Sequence, residues 1–227
     1  MRGKLIVIEG IDASGKGTQT KLLAERLKKE GYKVEIINFP QYDNWSSIFI
    51  KKYLNGDLGK IEDVGPYQCS IFYALDRYII SRKIRQWLEE GYMVICNRYV
   101  ASNKGHQASK IEDKNERDKF LKWLDKLEYS IFKNPKEDVN VFLDVPPEIC
   151  QKLVDQKKLR DYLNSDKKRD IHEDNIDYLI KSREAYLELL NKENNWLKVE
   201  CTENNELLSI EEIHERIWKL VKEVIGK

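Results

Sequence analysis

The sequence has no apolar stretch near the roughly 20 residues a membrane-spanning helix needs. Its first apolar run, Leu5 to Ile8, is stopped by Glu9 and followed by Asp12, which is not the pattern of a signal peptide. No membrane partner is therefore expected. Cysteine is sparse: Cys69, Cys96, Cys150 and Cys201 stand far apart and form no CxxC pair. That argues against a disulfide framework or a zinc site and points to a reducing cytoplasm. Excess basic charge is missing too, with 40 Lys and Arg against 39 Asp and Glu, so no nucleic-acid partner is expected. Neither internal repeats nor a low-complexity linker divides the chain, and 227 residues suit one domain spanning 1–227.

What is present is an alternation of β-branched apolar runs with helical patterns. Strands are expected at Lys4 to Glu9, Val34 to Phe39, Met93 to Asn97, Val139 to Val145 and Trp196 to Cys201. A helix with Leu22, Leu23 and Leu27 on one face ends at Gly31, and a long one runs from about Pro66 to Glu90. The last, from about Ile210 to Ile225, begins with Ser209 and Glu212 in capping-box spacing. Strand–helix alternation predicts an α/β fold, a parallel five-stranded sheet with helices on both faces. One segment differs: Lys157 to Asp174 is almost wholly polar and basic, with Arg160 and Arg169 among its cations.

The strongest chemical signal is Gly10-Ile11-Asp12-Ala13-Ser14-Gly15-Lys16-Gly17-Thr18, set between a predicted strand and a predicted helix. Glycines let the backbone curl so that successive N–H groups face an anion, and the helix adds the positive end of its dipole. Gly10, Ser14, Gly15, Lys16, Gly17 and Thr18 are thus candidate ATP phosphate ligands, with Lys16 reaching the β- and γ-phosphates. The bland alternative is a glycine-rich turn without a ligand. The residue after the lysine is ordinarily Ser or Thr. Gly17 has no hydroxyl, which leaves Thr18 for an α-phosphate, magnesium held largely through water, and the metal ligands undetermined.

Beyond this loop, three segments resemble the thymidylate kinase family in order and spacing: Phe39-Pro40, Tyr73-Ala74-Leu75-Asp76-Arg77, and Asn97-Arg98-Tyr99-Val100-Ala101-Ser102-Asn103. Leu143-Asp144-Val145-Pro146-Pro147-Glu148 is similar to that family's fourth strand and turn. The resemblance implies a P-loop NTPase-type fold, a homodimer, and transfer of the γ-phosphoryl group of ATP to thymidine monophosphate (dTMP) with Mg2+. It implies that Asp12 contacts the sugar 3′-hydroxyl and that Phe39 and Pro40 border the monophosphate. Tyr73 would stack on the base, with Phe72 the stacker if the register slips by one, and Arg77 would donate to thymine O4. Asn103 would read the Watson–Crick edge, with Gln107 a further base contact, and His106 would crowd the 2′ side of the sugar. Arg98 would lie between donor and acceptor phosphates. The basic segment at about 157–174 matches a mobile lid bringing Arg160 and Arg169 to the transferring group.

The chain departs from the family pattern twice. Asn97 stands where an aspartate is usual, and Asn38 stands where many relatives carry an arginine. A carboxylate at 97 would be expected to orient Arg98 and shape the charge near magnesium. Two alternatives remain at this point. One is another nucleoside monophosphate kinase, since Gly15-Lys16-Gly17-Thr18-Gln19 is also adenylate kinase-like. The other is a nucleotide-binding regulatory protein with weak turnover.

Overall fold

A computed structural model describes residues 2–59, 63–155 and 176–226. The chain runs β1 (Leu5–Glu9), α1 (Lys16–Lys29), β2 (Val34–Asn38), α2 (Ile48–Asn55), α3 (Pro66–Glu89), β3 (Met93–Asn97), α4 (Val100–Ala108) and α5 (Lys114–Asp125). A π-helical segment, Lys126–Ile131, follows α5. Then come β4 (Val139–Asp144), α6 (Pro147–Asp155), α7 (Ile176–Lys192), β5 (Trp196–Glu200), a short hairpin of β6 (Thr202–Glu203) and β7 (Glu206–Leu207), and α8 (Ile210–Ile225).

The five main strands form one parallel sheet in the order β2-β3-β1-β4-β5. Every residue of β1 and β4 is buried, as expected of central strands covered on both faces. Alternate residues of β1 go to opposite sides. Ile6 and Ile8 pack with Leu23 and Leu27 of α1 and Ile217 and Val221 of α8. Leu5 and Val7 pack with Ile84 and Leu88 of α3. Period-two alternation on strands and period-3.6 stripes on helices thus bury the same core from both directions.

The chain turns that carry chemistry all lie at the carboxyl ends of β1, β2 and β3, where open parallel sheets present ligand crevices. The expected strands match to within one residue at either end. The basic segment 157–174, with Arg160 and Arg169, lies outside the described residues.

Candidate active site

The phosphate loop bridges β1 and α1. Gly10 takes φ +150°, and a Cβ there would fall 2.5 Å from Ser14 Oγ and 3.0 Å from the Leu143 carbonyl. No other residue type fits that close approach. Gly15, at φ +86°, caps α1 in the left-handed region, and the first turn of that helix holds no acidic side chain. The positive end of its dipole therefore faces the loop. Lys16 is buried, with Nζ donating to the Ile11 carbonyl at 2.6 Å and to Ser14 Oγ at 3.4 Å. Thr18 is exposed on the first turn. Beside Gly17 lies Asn97, whose Nδ2 would be 3.8 Å from a Cβ at that glycine.

A cleft adjoins this loop. It is lined by Asp12, Phe39, Pro40, Tyr73, Arg77, Arg98, Asn103, His106 and Gln107, all anticipated from the sequence, and also by Tyr42, Ser102 and Tyr178. The walls are set by buried polar anchors. Asp76 of α3 accepts from the Gln41 backbone N–H at 2.9 Å and from Ser46 Oγ, pinning the segment after Pro40 to the helix. Glu9, at the end of β1, accepts from the Tyr99 N–H at 2.9 Å, Ser102 Oγ at 2.7 Å and Tyr186 Oη at 2.9 Å. It thereby ties the turn between β3 and α4 to the central strand.

Arg98 occupies that turn at φ +68°, a conformation bulky residues rarely adopt. Such backbone persists where neighbours over-determine it. Here the Arg98 N–H donates to the Ile8 carbonyl at 3.0 Å. Its guanidinium reaches Asp12 at 2.6 Å, His106 Nε2 at 2.9 Å, Ser102 Oγ at 3.2 Å and the Gly10 carbonyl at 3.4 Å. Because arginine can only donate, His106 Nε2 is the acceptor and its imidazole is neutral at that nitrogen. Burial disfavours the Arg98 charge and is the largest single influence, but Asp12 together with Tyr186, Glu9 and Tyr42 outweighs it and the pKa is raised above the ordinary arginine value. Arg98 makes no hydrogen bond to Asn97 within the described residues. The left-handed backbone turns its side chain toward Asp12 instead.

Asn97 Nδ2 donates to Asn38 Oδ1 at 3.1 Å, so the two departures from the usual pattern form one neutral pair. Asn97 Oδ1 is buried with no hydrogen-bond partner among the described residues. The same holds for Gln107 Oε1 at the base of the cleft.

The aromatic element divides. Tyr73 faces the cleft, whereas Phe72 stacks on Phe49 at 5.6 Å with planes 19° apart and is not among the cleft's lining residues. Arg77 lines the cleft, but much of its guanidinium faces inward. Nε donates to Glu128 at 3.1 Å, Nη2 also pairs with Glu128, and Nη1 donates to the Tyr99 carbonyl at 3.2 Å. These bonds use three of its five N–H groups. Glu128 comes from the π-helical segment, a local irregularity that turns a carboxylate into the interior.

Sequence reasoning did not single out Ser102, Tyr42 or Tyr178. Ser102 was legible as the residue four after Arg98 at a helix start. Tyr178 arrives from α7, with no local signal linking it to the cleft.

Residues 8–217 match the family model described as thymidylate kinase. The chain belongs to the thymidylate kinase family. It is 32% identical to a probable thymidylate kinase of Pyrococcus horikoshii over the full length of both chains. It is 29% identical to a thymidylate kinase of Plasmodium falciparum, over 92% of this chain and 97% of that one. A solved thymidylate kinase from Candida albicans shares the fold with a TM-score of 0.73 at 23% identity, covering 98% of this chain and 92% of the other. Family membership makes this chain a phosphotransferase. Thymidylate kinases use ATP as phosphate donor.

Proposed function

We infer that the phosphate loop and the adjoining cleft together transfer the γ-phosphoryl group of ATP to dTMP, giving ADP and thymidine diphosphate. The observation that carries this reading is Arg98. One guanidinium reaches the phosphate-loop backbone at Gly10 and the cleft residues Asp12, Ser102 and His106. A positive fork at that junction can follow charge as it moves from donor to acceptor oxygens. Phosphoryl transfer has a loose transition state and needs alignment and positive charge more than a strong base. Lys16, the loop N–H groups and Arg98 supply both.

Base recognition is assigned to the far end of the cleft. Tyr73 offers a ring face for stacking. The unpartnered Gln107 Oε1 suits an acceptor for the thymine N3–H, with Asn103 beside it. The two N–H groups that Arg77 keeps beyond its bonds to Glu128 and Tyr99 suit thymine O4. Asp12 is assigned to the sugar 3′-hydroxyl. His106, held neutral by Arg98 and lying against the Tyr178 ring at 5.8 Å, narrows the sugar side. Phe39 and Pro40 form the opposite wall.

Magnesium would neutralise charge on the ATP phosphates. Among the described residues no cluster of acidic or imidazole ligands could hold it. The buried, unpartnered Asn97 Oδ1, on the side chain whose Nδ2 lies nearest Gly17, does fit a hard cation, as an oxygen donor that acts alongside water and phosphate.

A homodimer is proposed through α3. Ile71, Leu75, Tyr78 and Ile79 are exposed on it at helical spacing, an apolar stripe typical of a covered face. A reducing cytoplasm is proposed from four buried free cysteines, and the described residues contain no helix long and apolar enough to cross a membrane. Single-domain organisation, with a lid at about 157–174 carrying Arg160 and Arg169, completes the reading.

Paired kinetics test the two subsites. Lys16→Ala should lower turnover by roughly a hundredfold or more. Tyr73→Ala should raise the KM for dTMP, with about 1–3 kcal/mol of stacking lost, and leave that for ATP nearly unchanged. Near-normal turnover in the first variant, or a KM effect on ATP alone in the second, would overturn the assignment.

A further inference from the structure

A second cavity, of about 430 Å3, lies toward the amino ends of β4 and β5, whereas the phosphate loop sits at the carboxyl ends of the strands. Its lining is polar and ionic, unlike the aromatic cleft. Lys104 of α4 is buried, and its ammonium pairs with Glu193 at 2.6 Å and Asp125 at 2.9 Å. Tyr129 Oη donates to Glu137 at 2.7 Å, and Lys136 lies 5.8 Å from the centre of the Tyr129 ring. Asp125 and Glu193 therefore both face the one buried ammonium of Lys104, while Lys136 is exposed and Glu137, with its pKa at about 7, is only partly ionised at neutral pH.

Asn140, the second residue of β4, decides what remains. It is 2% exposed, it lines the cavity, and its Oδ1 has no hydrogen-bond partner among the described residues. A buried acceptor left unpaired costs about 1–3 kcal/mol, and a bound donor would offset that. The two carboxylates around the single buried ammonium of Lys104 add a preference for positive charge in that donor. Anions are disfavoured, because Asp125 and Glu193 would repel them. A metal ion is disfavoured by the absence of a suitable ligand cluster among the described residues.

We propose that this cavity is a binding site for a small organic ammonium ion, its N–H groups donating to Asn140 Oδ1 and to the Asp125 and Glu193 carboxylates. Burial supports the assignment by pushing Glu137 up to about 7, so that a bound cation would favour its ionised form against the opposing Glu128. The site is distinct from the dTMP cleft. Lys104 and Asn103 are neighbours on α4, but only Lys104 lines this cavity.

Calorimetric titration of the full chain with 1,4-diaminobutane tests this. One saturable site per chain is expected for the unaltered protein and for Tyr73→Ala, and none for 1-butanol, which has similar size and no charge. Asn140→Leu should weaken binding by roughly tenfold or more. Should that variant not fold, Asp125→Asn alters a half-exposed carboxylate and should weaken binding in the same direction. Absence of saturable binding, equal affinity in Asp125→Asn, or binding of 1-butanol would each overturn the proposal.

Discussion

Arg98 shows how one backbone conformation selects a side chain's partners. Its positive φ directs the guanidinium to Asp12, His106 and Ser102 and away from Asn97. A carboxylate at 97 would therefore act on the metal and phosphate environment, not by holding Arg98. Asn97→Asp should lower the magnesium concentration needed for half-maximal rate and speed turnover by about five- to thirtyfold, equivalent to roughly 1–2 kcal/mol in the barrier. The Asn38 amide can rotate to donate to the new carboxylate, so the pair survives the change. Magnesium titrations of both forms check this, and an unchanged magnesium dependence would remove Asn97 from the metal's surroundings. The glycines, Lys16 and Arg98 were legible as single residues because each departs from what packing alone would select. The Arg77–Glu128 pair was not, because its partner is 51 residues away and is turned inward by a π-helical segment.

Among the elements, strands read most directly from sequence, since short β-branched runs alternating with helical patterns point to a parallel sheet, and its central strands β1 and β4 are buried throughout while β2 and β5 are part-exposed. α4 was missed. Nearly every side chain of Val100–Ala108 is buried, polar ones included, so no amphipathic period exists to be seen. α5 had a signal that went unused, as Asp113 accepts from the Glu116 N–H and caps the helix. The segment before β4 carries a pH-sensitive group. Glu137 is almost fully buried, and burial raises its pKa from 4.5 to about 7 against the opposing effects of Tyr129 and Lys104. Between those values the folded chain keeps a proton that the unfolded chain releases, so stability falls as pH rises through this window and levels off above it. The full effect is at most roughly 3 kcal/mol. Urea unfolding at the two ends of the window should show the unaltered protein losing stability relative to Glu137→Gln. Parallel behaviour of the two would mean the carboxyl group titrates normally.

At the scale of the whole molecule, the proposed tasks fall on two surfaces. Phosphate and base recognition are assigned to the carboxyl ends of the strands, and the proposed dimer contact to the outer face of α3, where Ile71, Leu75, Tyr78 and Ile79 are exposed. Ile79→Glu puts a charge in that stripe without touching the cleft, and should halve the mass measured by sedimentation if the stripe joins two copies. An unchanged mass would assign the dimer contact elsewhere or remove it. The central claim concerns the chemistry between donor and acceptor. Its most direct test is the rate of ADP formation from ATP with dTMP, AMP, UMP and GMP in turn, for the unaltered chain and for Arg98→Ala. The account predicts the highest kcat/KM with dTMP, and a loss of roughly a hundredfold or more in turnover when Arg98 is removed. A preference for AMP, or turnover on dTMP that survives the loss of Arg98, would contradict it.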